Sequence, residues 1–233
     1  MRVCEVFGPT IQGEGPSAGQ RAMFIRLSGC NLDCRFCDTP FTWDWAGKNG
    51  VAYDQTAESH ERSMDELISA LADVGSLVVI TGGEPLIQQR AVTELCNKLG
   101  SHGRRVEIET NGTITPNPDL LASEWVRFNV SPKLANSGVE LQRRWRPDAI
   151  DAFGRSGRAA FKFVCRNSAD VDEIAKLIAD RLECAGNVWV MPEGQTVADV
   201  LSHTCAVTDA AIRHGFNVST RLHVLAWGNE RGR

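Results

Sequence analysis

RAMFIRLSGCNLDCRFCDTPFTW, residues 21–43, carries two signals in one stretch. Residues 21–29 alternate well enough for a strand. That strand runs directly into a loop with Cys30, Cys34 and Cys37. Three cysteines are one too few for a closed zinc site, which wants four Cys or His ligands. Cys4 or a histidine could bring a fourth ligand from elsewhere, so a zinc-binding interaction module stays open. A ferredoxin-like site would also want four thiolates, and no fourth cysteine lies nearby. The functional reading is a 4Fe-4S cluster on three thiolates, with one iron open to a small-molecule ligand.

Outward from this loop the chain reads mostly as strand, loop, helix, strand. Further strands are expected in SLVVIT, RVEIET, WVRFNV, AAFKFVC, NVWVM and RLHVLAW (221–227). Helices are expected over 63–75, where Ser63 is an N-cap, over 86–100, where Gly100 is the stop, and over 168–183 and 196–215. Residues 45–62 read as loop, and 113–124 hold only a short turn. This order implies right-handed crossovers and a largely parallel sheet. The expected fold is α/β, a curved sheet or reduced partial (β/α) barrel with some helices missing, over one domain spanning 1–233. Polar, glycine-containing turns follow the strand ends: GCNLDC, TGGEP, ETNG, SPK and MPEG. In parallel α/β folds ligands bind at the carboxyl ends of the strands, so these turns are expected to converge on one pocket.

The 233 residues suffice for such a domain, and 42% hydrophobic with 23% charged residues is ordinary globular composition. A net charge of −4 gives no sign of a nucleic-acid surface. No apolar run has the length of a membrane span, and MRVCEVFGPT has no apolar signal-peptide core. A cytoplasmic chain is expected. Of the eight cysteines three cluster, while Cys4, Cys96, Cys165, Cys184 and Cys205 are scattered. In a cytosolic chain such a cluster points to metal or redox chemistry rather than disulfides.

The C-x3-C-x2-C spacing, with Phe36 before Cys37 and TGGEP downstream of a strand, resembles the radical S-adenosylmethionine (radical SAM) superfamily. The resemblance implies that the open iron chelates S-adenosylmethionine, and that one electron from an external reductant cleaves it to a 5′-deoxyadenosyl radical. The protein would supply orientation and exclusion of water. By the same resemblance Phe36, Cys37, Asp38, Gly83, Glu84, Glu109, Asn111, Ser131, Pro132 and Lys133 become cofactor contacts, with Met191, Pro192, Glu193 and Gly194 as a weaker segment of that kind. Gly83 would let backbone approach the cofactor's amino group, while Glu109 and Asn111 either bond the cofactor or close their turn.

EVFGPTIQGEGPSAGQRAMFIRLSGCNLDCRFCDT, continued through TGGEP, ETNG, SPKLANSG and FKFV, resembles the 7-carboxy-7-deazaguanine synthase family. That implies ring contraction of 6-carboxy-5,6,7,8-tetrahydropterin with loss of ammonia in 7-deazapurine (queuosine-type) biosynthesis, on a reduced partial barrel, often as a homodimer. Ile11, Gln12, Gly13 and Glu14 would then lie at the substrate. Gln12 and Glu14 offer an amide and a carboxylate to the aminopyrimidinone edge. Arg26 offers a fork to the substrate carboxylate, with a plain ion pair as its alternative. Thr81 matches a substrate position. Thr39 would sit on a Mg²⁺ ion, a hard cation that prefers oxygen. His223 and Lys162 could reach the substrate or be structural. Some relatives place their extreme C-terminus near the substrate; this chain ends HVLAWGNERGR, which leaves the C-terminal side of the pocket open. A glycyl-radical activase of the same superfamily is the competing enzyme reading, although QGEGPSAGQ and the Asp38-Thr39 pair favour the pterin enzyme.

Overall fold

A computed structural model describes residues 1–71, 77–181 and 186–233. The far ends of the helices expected over 63–75 and 168–183, together with Cys184, lie outside the described residues. Among the described residues nine strands form one sheet: β1 (Arg2–Ile11), β2 (Arg21–Leu27), β3 (His60–Glu61), β4 (Leu77–Gly82), β5 (Arg105–Thr110), β6 (Val126–Val130), β7 (Ala159–Cys165), β8 (Val188–Pro192) and β9 (Asn217–Val218). Their order is β3-β1-β2-β4-β5-β6-β7-β8-β9. From β2 to β9 every neighbouring pair is parallel; β1 runs antiparallel to β2, and β3 to β1. The expected α/β, mostly parallel architecture is therefore present.

The alternation of side chains separates two faces. Ile25, Ile80, Ile108, Phe128, Phe163 and Val190 share one core with Leu95, Ile150, Phe153, Ile174 and Val207 from the helices. The edge-on rings of Phe128 and Phe153, 5.1 Å apart, add about 0.5–1.5 kcal/mol to their burial. The opposite face is apolar at the strand starts, where Ala22, Phe24, Leu77 and Val79 cluster with Phe7. Further along it carries Arg26, Thr81, Glu107, Glu109, Asn129 and Lys162. A sheet covered on both faces ordinarily reads as continuous apolar runs, so a polar inner face at the strand ends marks where the ligand site lies.

Local chemistry builds the outer layer. Ser63 and Glu66 form a reciprocal capping box on Met64–Ala70, and Asn167 and Thr196 cap Ser168–Ile178 and Val197–Arg213. Between β5 and β6 there is only the five-residue Pro118–Ala122, which is the thin crossover expected for a reduced barrel.

Two expectations are corrected. Gly100 does not stop its helix, which runs Gln89–Ser101. A Cβ there would meet Trp125 Cδ1 at 2.4 Å, so Gly100 makes room for a ring, and the left-handed turn falls at Gly103. RLHVLAW is not a strand but a helix, Leu222–Trp227. Its buried positions, Arg221 and Val224, recur every three residues rather than every two. The chain also turns away at Ser219, after a β9 of only two residues. Residues 45–62 are loop apart from one turn of helix at Gln55–Glu58 and the short edge strand β3.

Candidate functional site

All five strand-end turns reach one cavity of about 510 Å³. The first is the cysteine loop. Cys30, Cys34 and Cys37 line the cavity as free thiols, packed with Leu32 and Val139. Burial pushes the Cys30 thiol up to about 12, and raises Cys34 and Cys37 as well. Such thiols deprotonate when a metal takes them. The Trp43 indole N–H donates to Cys37 Sγ at 3.3 Å. Among the described residues no three His, Cys, Asp or Glu side chains gather around a single metal ion. A multi-iron cluster takes each thiolate on a different iron, so its sulfurs need not converge on one point.

The TGGEP turn presses on that loop. A Cβ on Gly83 would lie 2.1 Å from Gly29 O and 2.9 Å from Cys30 Cβ. Gly82 sits at φ +144° with Leu27 O in the way. The glycines therefore let β4 close against the cysteine loop itself, and Glu84 N donates to Gly29 O at 2.8 Å. Glu84 is wholly buried and does not line the cavity. It accepts from Leu86 N, Thr110 Oγ1 and Asn111 N at 2.9, 2.8 and 2.7 Å, which clamps TGGEP to ETNG. Burial raises its carboxyl despite those bonds. Asn111 closes its own turn through Thr113 and reaches Asn31 Oδ1 at 2.9 Å. Lys133 Nζ donates to Ser131 Oγ at 3.0 Å.

The floor is a buried polar network. Gln12 Nε2 donates to Glu107 Oε1 at 2.5 Å and Glu109 Oε1 at 3.2 Å, while Gln12 Oε1 accepts from Glu14 N. Both amide hydrogens are engaged, so Gln12 shapes the loop that carries Glu14. Thr81 Oγ1 donates to Glu109 Oε2 at 2.7 Å. Glu14 pairs with Lys162, with Arg221 Nε at 3.0 Å and with His223 Nε2 at 3.9 Å. Burial alone would raise the Glu14 carboxyl, but Lys162, Arg221 and His223 hold it well below the usual carboxylate range. Burial lowers the His223 imidazole. Lys162 is depressed by burial but raised on balance by Glu14 and Glu109.

At the mouth, Arg26 Nε donates to Glu5 Oε1 at 2.7 Å, and its guanidinium lies over Phe7 and Phe41. Arg231 shares Glu5, bonds Glu58 at 2.7 Å and covers the Phe41 ring at 3.9 Å. Residues 229–233 thereby form part of the wall. Thr39 Oγ1 lies 3.8 Å from Cys37 Sγ, its one side-chain hydrogen-bond contact among the described residues, so the oxygen can take a further ligand.

Of the residues singled out in the sequence, only Glu84, Pro132, Pro192 and Gly194 stand off the cavity wall. Ile11, Gly13, Phe36, Asp38, Met191 and Glu193 line it with the rest. Sequence reasoning missed Arg221, Glu107, Glu5 and Arg231. An arginine opening an apolar segment was the one available signal for Arg221.

The Radical SAM superfamily model matches residues 24–193. The chain is 39% identical over 238 residues to the 7-carboxy-7-deazaguanine synthase of Pyrobaculum aerophilum, covering 100% of this chain and 97% of that protein. It is 38% identical over 234 residues to the enzyme of that name from Hyperthermus butylicus, covering 97% and 92%. To the Bacillus subtilis enzyme of that name it is 32% identical, covering 99% and 97%. Among solved structures it is similar to QueE from Escherichia coli, with a TM-score of 0.72 at 25% identity over 95% of this chain and 94% of that one.

Proposed function

The chain belongs to the radical SAM superfamily and, within it, to the 7-carboxy-7-deazaguanine synthase family, and on that premise we propose that its cavity contracts a carboxylated pterin to the deazapurine. The activity is 7-carboxy-7-deazaguanine synthesis. The substrate is 6-carboxy-5,6,7,8-tetrahydropterin, and ammonia leaves as the ring contracts. One observation carries the reading: three unpaired thiols face the same cavity as an ionised glutamate and an arginine fork. Full-length likeness to deazaguanine synthases sets aside the activase and zinc-module readings.

Cys30, Cys34 and Cys37 would hold the 4Fe-4S cluster, which with S-adenosylmethionine bound would supply the hydrogen-abstracting chemistry. The rest of the work falls to side chains. Glu14, kept ionised by Lys162 and Arg221, accepts from the N–H groups of the pyrimidinone edge. Leaving such an edge unpaired would cost roughly 1–3 kcal/mol per group. Arg26, oriented by Glu5, meets the substrate carboxylate. Phe7 and Phe24, stacked at 4.9 Å, give a flat ring an apolar wall and exclude water. Lys162 Nζ keeps a proton beside Glu14 and Glu109. Thr39 Oγ1 would hold a Mg²⁺ ion, a hard cation that prefers oxygen ligands and would polarise the substrate carboxylate.

The reading extends to one domain over 1–233, supported by a single sheet drawing strands from Arg2 to Val218. It also includes a homodimer, an external one-electron reductant and a cytoplasmic location, the last supported by unpaired cysteines among the described residues. No helix among the described residues is long and apolar enough to cross a membrane. The test is anaerobic reconstitution followed by assay with 6-carboxytetrahydropterin, reductant, Mg²⁺ and substoichiometric S-adenosylmethionine. Many turnovers per S-adenosylmethionine are expected. Cleavage of S-adenosylmethionine without deazaguanine under varied reductants would overturn the assignment.

A further inference from the structure

Arg221 joins three loops that lie far apart in the sequence. Its Nε donates to Glu14 Oε1 at 3.0 Å, one terminal nitrogen donates to Asp38 Oδ2 and the other to the Gly194 carbonyl. The side chain is 7% exposed and faces the cavity. Glu14 lies on the pterin side. Asp38 follows Cys37 directly, on the cluster side. Lys162 holds the other Glu14 oxygen, so the carboxylate is fixed from two directions, and only the arginine continues to the cysteine loop.

We propose that Arg221 is a positioning residue that couples pterin recognition to the cluster loop, fixing the ring-reading carboxylate relative to the cysteines. The proposal rests on the function assigned above. A planar guanidinium presents its donors in a rigid fork, whereas lysine is a point charge on a flexible stem. Only the fork satisfies two carboxylates and a carbonyl at set angles together. Its anchorage is equally fixed. Leu222 N donates to Gly13 O at 2.8 Å and Gly15 N to Ser219 Oγ at 2.8 Å, so the segment bearing Arg221 is fastened to the loop bearing Glu14. Misplacing reacting groups by about 1 Å can cost roughly 10²-fold in rate. Hydrogen abstraction demands contact between the cofactor and the substrate carbon, so a loosened tie shows as wasted S-adenosylmethionine.

The experiment uses reconstituted holoprotein, wild type against Arg221→Met and Arg221→Lys. Iron and sulfide content with the visible spectrum reports the cluster. Fluorescence titration with 6-carboxypterin reports binding without turnover. The ratio of 5′-deoxyadenosine to deazaguanine reports coupling. Both variants should keep the cluster, bind 6-carboxypterin about tenfold or more weakly, and release more 5′-deoxyadenosine per product. Binding and ratio equal to wild type with an intact cluster would overturn the proposal. If Arg221→Met does not fold, Asp38→Ala decides: it removes the acceptor of the cluster-side arm and leaves the Glu14 arm, and an unchanged ratio overturns the coupling. Should wild type itself make no deazaguanine, the functional assignment fails, while the 6-carboxypterin titration still judges Arg221.

Discussion

At the residue scale, the chemistry of the site is a matter of which buried groups have partners. Cys30, Cys34 and Cys37 are the loop's only thiols, so alanine at any of them should abolish the cluster absorbance and bound iron. Cys96→Ala, in the helical layer, should leave both unchanged; a normal cluster in Cys34→Ala would refute the ligand set. Glu14 makes a different prediction. Its folded carboxyl titrates well below the ordinary glutamate range because Lys162, Arg221 and His223 outweigh burial. A depressed carboxylate contributes stability that is complete above the unfolded value and is lost as pH falls through the folded one. The stability gap between wild type and Glu14→Gln should therefore be constant at neutral pH and shrink only as the solution is acidified past 4.5. At neutral pH the variant leaves two buried cations short of a partner, a loss of about 3–5 kcal/mol. Urea unfolding at a series of pH values checks both; a gap that widens on acidification would contradict the sign. Glu14 itself was legible in QGEGP. Its partners were not, because Lys162 and Arg221 lie 148 and 207 residues away, and pairing over such distances leaves no local pattern.

At the element scale, strand-end turns act as spacers as much as contacts. Gly83 faces backbone, not open space, so Gly83→Ala should push the cysteine loop off β4. The expected result is a lower melting temperature and reduced iron retention after desalting. Gly103→Ala is the control: Gly103 sits at φ +70°, which adds backbone strain of its own, but nothing lies within 4 Å of its added Cβ. Iron retention in Gly83→Ala equal to that control would show that the close approach is irrelevant. Period and turn chemistry made most elements readable: SMDE announces the Ser63 N-cap that is present, and VVIT announces β4. RLHVLAW misled because Leu222, Val224 and Ala226 alternate with His223, Leu225 and Trp227, and a six-residue helix offers too few turns for its own period to show. Arg2–Ile11 went unread because its two faces are both mixed. Its burial alternates poorly, and its register against β2 shifts twice.

At the scale of the whole molecule, no strand pairing among the described residues joins the sheet's two edges; side chains and loops bridge them. β9 and β3 are the terminal strands. The chain after β9 nevertheless returns to the β1 side, first through Arg221 and Glu14 and then through Arg231, which reaches Glu5 and Glu58. These two bridges differ in kind. The first is buried. The second is 43% exposed on the Arg231 side, where ion pairs are worth about 0.2–1 kcal/mol each. Deleting residues 229–233 removes two such pairs and should therefore lower the melting temperature by only ~1–8 °C, since each kcal/mol corresponds to about 2–4 °C in a chain of this size. The same residues form one wall of the cavity, and Arg231 shares Glu5 with Arg26. Without them Glu5 keeps Arg26 but the mouth lies open to water, which weakens every charge interaction inside. The truncated protein should bind 6-carboxypterin several-fold more weakly in the fluorescence titration and show a steeper loss of binding with added salt, with the cluster spectrum unchanged. Binding and salt response identical to the full chain would mean that the tail merely lies against the wall.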